Sequence, residues 1–161
     1  MAWSSSATGL RNVLVGDVFL CSGQSNMELP VRRCLDVVGG DVALYANTQI
    51  RYLKVPLAYD FDGPREDLPA CGWQQLDSDA TAMDWGAVSY FTARFLQERT
   101  GVPVGMVNAS VGGSPIEAWL PESLLPDYAL EELAPLKDKA CLDSINDFNA
   151  HLYSDWQNAH D

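Results

Sequence analysis

Gly16-Asp17-Val18-Phe19-Leu20-Cys21-Ser22-Gly23-Gln24-Ser25-Asn26-Met27 reads as a buried strand that runs into a small-residue turn and stops on a serine. Val18 to Cys21 is the apolar run. Ser22-Gly23 lets the backbone turn sharply. A serine just past a strand end, with glycine close by, is where an exposed nucleophile is usually mounted. It is also where a serine serves simply as a helix N-cap. Gln24 and Asn26 flank Ser25 and are the candidate substrate-binding residues.

Outward from this stretch, the chain alternates strands and helices. Val13 to Val15 extends the first strand region, interrupted by Gly16-Asp17. Asn26 to Leu29 opens a helix with Pro30 in its first turn, running to about Val38 before Gly39-Gly40. Ile50 to Val55 alternates apolar and polar residues, as a strand does. Tyr59 to Asp84, rich in Asp, Pro and Gly, reads as a long loop; it carries function or is a surface excursion pinned by its tryptophans. Ala87 to Arg99 is the clearest helix, with Val88, Phe91, Phe95 and Leu96 on one face. Val104 to Ala109 is a third, nearly all-apolar strand, as one covered on both faces should be. Asp127 to Asp161 reads as one or two helices with the stripe Ile145, Phe148, Leu152 and Trp156. This order predicts an α/β layered fold with a parallel sheet.

The 161 residues fit one domain, and 47% apolar with 20% charged residues is a globular composition. A net charge of −12 argues against nucleic acid or an anionic membrane as partner, since either calls for a basic face. No run approaches the roughly 20 apolar residues of a membrane span. The N-terminus has no basic region followed by an apolar stretch, so no secretory signal is expected there. Cys21, Cys34, Cys71 and Cys141 form no C-x-x-C pair, and no histidine stands at zinc-ligand spacing, so no metal site is expected. Cys21 and Cys34 read as buried thiols.

In an open parallel sheet, ligands bind at the carboxyl ends of the strands. Two glycine-rich turns fall at such ends, Gly23 to Asn26 and Val111 to Ser114. If their strands are neighbours, Ser25 and Gly113 share one crevice. There a backbone N–H beside glycine approaches a substrate oxygen closely, and with the Ser25 N–H it forms a partial oxyanion hole. Asn108-Ala109-Ser110 is formally a glycosylation sequon, but it faces that crevice. Arg51 and Arg94 are candidates for surface salt bridges.

Gly16 to Met27 resembles the nucleophile block of sialate O-acetylesterase-like proteins, carbohydrate esterases of the SGNH (GDSL-like) hydrolase superfamily. Gly101 to Trp119 is similar to a second block of that family, and Ile50-Arg51-Tyr52 and Ser89 to Arg94 are also similar. The likeness spans roughly residues 13–120. It implies a flavodoxin-like three-layer α/β/α fold and a serine esterase that needs no cofactor. It implies that Ser25 is the nucleophile and Gly113 the second oxyanion donor, with Gly112 as the other choice. Its substrate class is acetylated sugars, sialic acid first, with polysaccharides such as xylan as neighbours.

The superfamily's third block, an amide side chain for the oxyanion hole, is not found. Neither is its Asp-x-x-His pair: three residues before His151 and His160 stand Phe148 and Gln157. His151 has Asp147 and Asp155 one helical turn away on each side and reads as part of a solvated helix face. By this resemblance the chain corresponds to the front part of a longer catalytic domain with which a β-sandwich region is commonly associated. The missing C-terminal part of the same enzyme is then a candidate partner. A non-catalytic fragment or carbohydrate-binding domain is the contrasting reading. The family's substrates suggest a periplasmic or secreted protein.

Overall fold

The structure is a computed structural model that describes residues 11–42, 45–58 and 63–158, without the side chains of 146, 149–150 and 152–158. The chain divides into two compact units, Met1–Pro56 with Pro69–Ser114, and Leu57–Leu68 with Pro115–Asp161.

The first unit holds a four-stranded sheet: β1 (Asp17–Gly23), β2 (Asn47–Lys54), β3 (Gln74–Leu76) and β4 (Val104–Ser110), in the order β1-β4-β2-β3. β1 and β2 both pair with β4 in parallel, Phe19 and Tyr52 each lying opposite Met106. β3 runs antiparallel to β2. The sheet is therefore mixed but mostly parallel, and helices flank it. β4 is the central strand, and four of its first five residues are buried, as its continuous apolar run requires.

β1 is an edge strand, with Val18 64% and Leu20 71% exposed. Only Asp17–Gly23 is strand, so Val13 to Val15 does not extend it. Asp17 joins the sheet edge through its N–H, which donates to the Pro103 carbonyl at 3.0 Å.

The helix expected from Asn26 to Val38 is broken. α1 (Ser25–Glu28) ends at Leu29, the Val31–Arg33 segment is a single 3₁₀ turn, and α2 runs over Leu35–Val42. Pro30 is the cause: a proline disfavours helical backbone in the residue before it, and Leu29 sits at φ −47°, ψ 114°. The freed backbone pairs elsewhere. Ala87 N–H donates to Leu29 O at 2.8 Å, and Val31 N–H to Trp85 O at 3.0 Å. Gly39 and Gly40 lie inside α2 and do not end it.

The stretch expected as a loop contains β3 and a short helix, α3 (Asp79–Ala82), capped by Ser78, whose Oγ accepts from Thr81 N–H at 3.3 Å. Its tryptophans pin it. Trp85 is buried and stacks on Tyr52, 4.8 Å between centroids, and its Nε1 donates to Gln74 Oε1 at 2.7 Å. Trp73 lies on Gly105, where an added Cβ would come within 3.2 Å of the ring. The part of the expected loop at 59–62 lies outside the described residues.

α4 (Ala87–Thr100) ends on Gly101, whose φ of 68° suits glycine. It turns Ala87, Ser89, Tyr90 and Ala93 into the core, whereas Val88 and Phe95 of the expected apolar stripe face solvent. The Arg99 guanidinium covers Phe95 at 4.8 Å. Arg94 pairs with Glu98 at 2.9 Å, the surface role expected of it, and Arg51 donates to Asn12 Oδ1 at 2.9 Å.

The second unit holds 3₁₀ turns at Ile116–Trp119 and Glu122–Leu124, then α5 (Asp127–Leu136) and α6 (Lys139–Asn158). Tyr128 donates to Glu117, and Lys137 pairs with Glu122 at 2.8 Å. Ile145, Phe148 and His151 on α6 are exposed, while the side chains of Leu152 and Trp156 lie outside the described residues, as does all of His160.

The buried Tyr52 hydroxyl accepts from Gly86 N–H at 3.1 Å, the residue that caps α4. Burial pushes its phenol above the ordinary tyrosine range. Tyr52→Phe should leave that N–H without a partner and cost about 1–3 kcal/mol, read as a lowered urea midpoint with unchanged slope.

Candidate active site

β1 and β4 are adjacent and parallel, so the loops that follow them leave the same edge of the sheet. Ser25 opens the first loop's short helix. Its Oγ donates to Gln24 Oε1 at 2.9 Å, and both residues are exposed. Gln24 is the residue before α1, and its carbonyl accepts from Met27 and Glu28 N–H at 3.0 and 3.2 Å. Ser25 itself is therefore not the cap. Asn26 is exposed at the same turn.

The second loop begins where Val111 N–H donates to Gly23 O at 2.9 Å, which joins the two segments directly. Ser114 N–H closes the turn onto Val111 O at 3.4 Å. Its two glycines serve different needs. Gly113 takes φ +79°, a left-handed conformation costly for other residues. Gly112 is set by space: a Cβ there would sit 2.7 Å from Glu28 Oε2 and 3.8 Å from Ser25 Cα. The Gly112 N–H is already committed, donating to Glu28 Oε2 at 2.6 Å. The Gly113 N–H has no acceptor among the described residues.

Beneath both loops lies Asn108, which is 1% exposed. Its Nδ2 donates to Met27 O at 3.2 Å and to Ser89 Oγ at 3.3 Å. Its Oδ1 accepts from Ser110 N–H at 3.2 Å and Ser110 Oγ at 2.6 Å. The formal sequon is thus a buried structural amide. Asn108, Glu28 and Lys54 were not singled out from sequence as parts of the site. The signal for Glu28 was available in its spacing, three residues after Ser25 on a helix.

A crevice of about 470 Å³ opens beside Ser25, lined by Glu28, Leu29, Pro30, Arg32, Arg33, Lys54 and Asp84. Three cations face two carboxylates there, in a chain of net charge −12. Arg32 pairs with Asp84, and Lys54 Nζ stands 3.6 Å from Glu28 Oε1. Among the described residues no histidine lines the crevice. A larger cleft of about 580 Å³, with Arg11, Arg51 and Trp73 on its walls, lies at the amino ends of the strands, the end of a parallel sheet that does not carry ligand-binding loops. The four cysteines are unpaired thiols, Cys21 and Cys34 only half-buried.

A sequence profile of the family described as carbohydrate esterase, sialic acid-specific acetylesterase, matches residues 15–142. Human sialate O-acetylesterase is 33% identical over 117 residues, which are 68% of this chain and 22% of that protein. The rat sialate O-acetylesterase is 35% identical over 118 residues, 68% of this chain and 21% of its own length. The crystal structure of a carbohydrate acetylesterase from Xanthomonas citri superposes with a TM-score of 0.62 at 40% identity, covering 70% of this chain and 25% of that one. The chain spans about a fifth of the length of the curated relatives it matches.

Asn108→Ala should remove all of its side-chain hydrogen bonds and leave Ser110 N–H without its side-chain acceptor. The expected loss is about 3 kcal/mol, seen as a lower urea midpoint, with a mutant that matches wild type contradicting the bonding described.

Proposed function

The chain belongs to the sialic acid-specific acetylesterase family of carbohydrate esterases, and on that footing we propose that it removes O-acetyl groups from sugars, sialic acid foremost, with Ser25 as nucleophile. The observation that carries this is the shared edge. Ser25, with its exposed hydroxyl, and the Gly112-Gly113 turn stand side by side at the carboxyl ends of β1 and β4.

In this reading Ser25 Oγ attacks the acetyl carbonyl carbon and gives up its proton to a base. Negative charge moves to the carbonyl oxygen, where the N–H groups of Ser25 and Gly113 meet it. Gly113 is favoured over Gly112 because the Gly112 N–H is held by Glu28. The tetrahedral species collapses, the sugar hydroxyl leaves with a proton, and water releases acetate from the acetyl-serine. The cations around the crevice suit an acidic sugar. Gln24, which holds the Ser25 hydroxyl before substrate arrives, and Asn26 are placed to meet it.

The base is the role that an Asp-x-x-His pair fills in the superfamily. With no histidine among the described residues that line the crevice, this chain alone should turn over far below an ordinary enzyme's rate of about 1–10³ per second. Imidazole in solution replaces the base. With imidazole and 4-nitrophenyl acetate, the wild-type chain should release nitrophenol faster than Ser25→Ala and accumulate acetyl on Ser25, read by peptide mass. Equal rates and no acetylated Ser25 would defeat the esterase reading.

A further inference from the structure

Glu28 lies three residues beyond Ser25, on the same short helix. Its two carboxylate oxygens reach the other two strand ends of the edge. Oε2 accepts from Gly112 N–H at 2.6 Å, in the loop after β4, and Oε1 stands 3.6 Å from Lys54 Nζ, at the end of β2. The side chain is 30% exposed, and its hydrogen bond to Gly112 is charge-assisted and short, a stronger tie than an exposed ion pair. Glycine at 112 is what permits the approach, since a Cβ would fall 2.7 Å from Oε2.

The geometry points to Glu28 as a positioning residue: it clamps the Gly112-Gly113 turn to the nucleophile segment, so that the N–H groups of Gly113 and Ser25 converge on one substrate oxygen. This rests on the esterase reading above for its purpose, though not for its existence. The bond also settles a competition between adjacent amides. By engaging the Gly112 N–H, Glu28 leaves that of Gly113 as the free donor. A lone carboxylate near a developing oxyanion would oppose it. The Gly112 amide and the Lys54 ammonium offset that charge where it sits.

The test is nitrogen-15 NMR on the full chain, comparing wild type, Glu28→Gln and Glu28→Ala. In wild type also labelled with carbon-13, the Gly112 amide nitrogen should show a scalar coupling through the hydrogen bond to the Glu28 carboxyl carbon. The amide order parameters of Gly113 and Ser25 should stay near the rigid value of about 0.85 in wild type and Glu28→Gln, whose amide oxygen still accepts, and fall below about 0.6 in Glu28→Ala. Absence of that coupling would overturn the clamp, and so would rigid Gly113 and Ser25 amides in Glu28→Ala. If Glu28→Ala does not fold, the wild-type coupling decides alone. Ser25-dependent acetyl transfer, assayed separately on the wild-type chain, judges the esterase reading. Neither result substitutes for the other.

Discussion

The buried side-chain amide of Asn108 is the interaction on which the edge of this sheet depends. One residue near the end of the central strand bonds to the Ser25 segment through Met27 O, to α4 through Ser89 Oγ, and to its own strand end through Ser110. A polar group in a core is costly unless all its bonds are made, and here they are. Such an amide fixes orientation as well as position, because its donor and acceptor ends cannot be exchanged. Gly86 fits the same knot tightly: a Cβ there would come within 2.8 Å of Met27 O and 2.9 Å of Asn108 Nδ2.

Above that knot, the parallel pairing of β1 with β4 does the rest. Two strands side by side and in one direction deliver two loops to one place. The loops are joined by Val111 N–H to Gly23 O, and again by Glu28 to Gly112. The site is therefore assembled from backbone and short side chains on rigid elements, which is what an oxyanion hole demands. The charge pattern follows the same logic. The molecule is acidic overall, yet its crevice beside Ser25 gathers Arg32, Arg33 and Lys54.

Much of this was legible in the residues. The apolar run of β4, the alternation of β2 and the length of α4 were readable from pattern, and the two glycine-rich turns fall at the adjoining ends of β1 and β4. β1 was legible as a strand but not as an edge, so its apolar run read as buried whereas Val18 and Leu20 are exposed. What was not legible was set by tertiary contacts. Pro30 reads as a first-turn proline, but the bonds of Leu29 and Val31 to the α4 entry hold a break there. The stripe Val88, Phe91, Phe95 and Leu96 has helical spacing, but α4 buries Ala87, Ser89, Tyr90 and Ala93, and only Phe91 and Leu96 of the stripe pack against the margin of the core. β3 and α3 were hidden in a stretch whose Asp, Pro and Gly content reads as loop, with three residues of strand too short to show a period. Asn108 looked like a sequon because sequence does not report burial. Glu28 has nothing near it in sequence to mark its partner, which is 84 residues away.

The central claim is that Ser25 is the reactive group of this edge. The most direct measurement is covalent labelling with an organophosphonate ester that mimics the tetrahedral intermediate, followed by peptide mass mapping. The account predicts one phosphonylated residue, Ser25, with labelling slowed when the Gly112-Gly113 turn is altered. Label spread over several exposed serines, or concentrated on a serine other than Ser25, would contradict it.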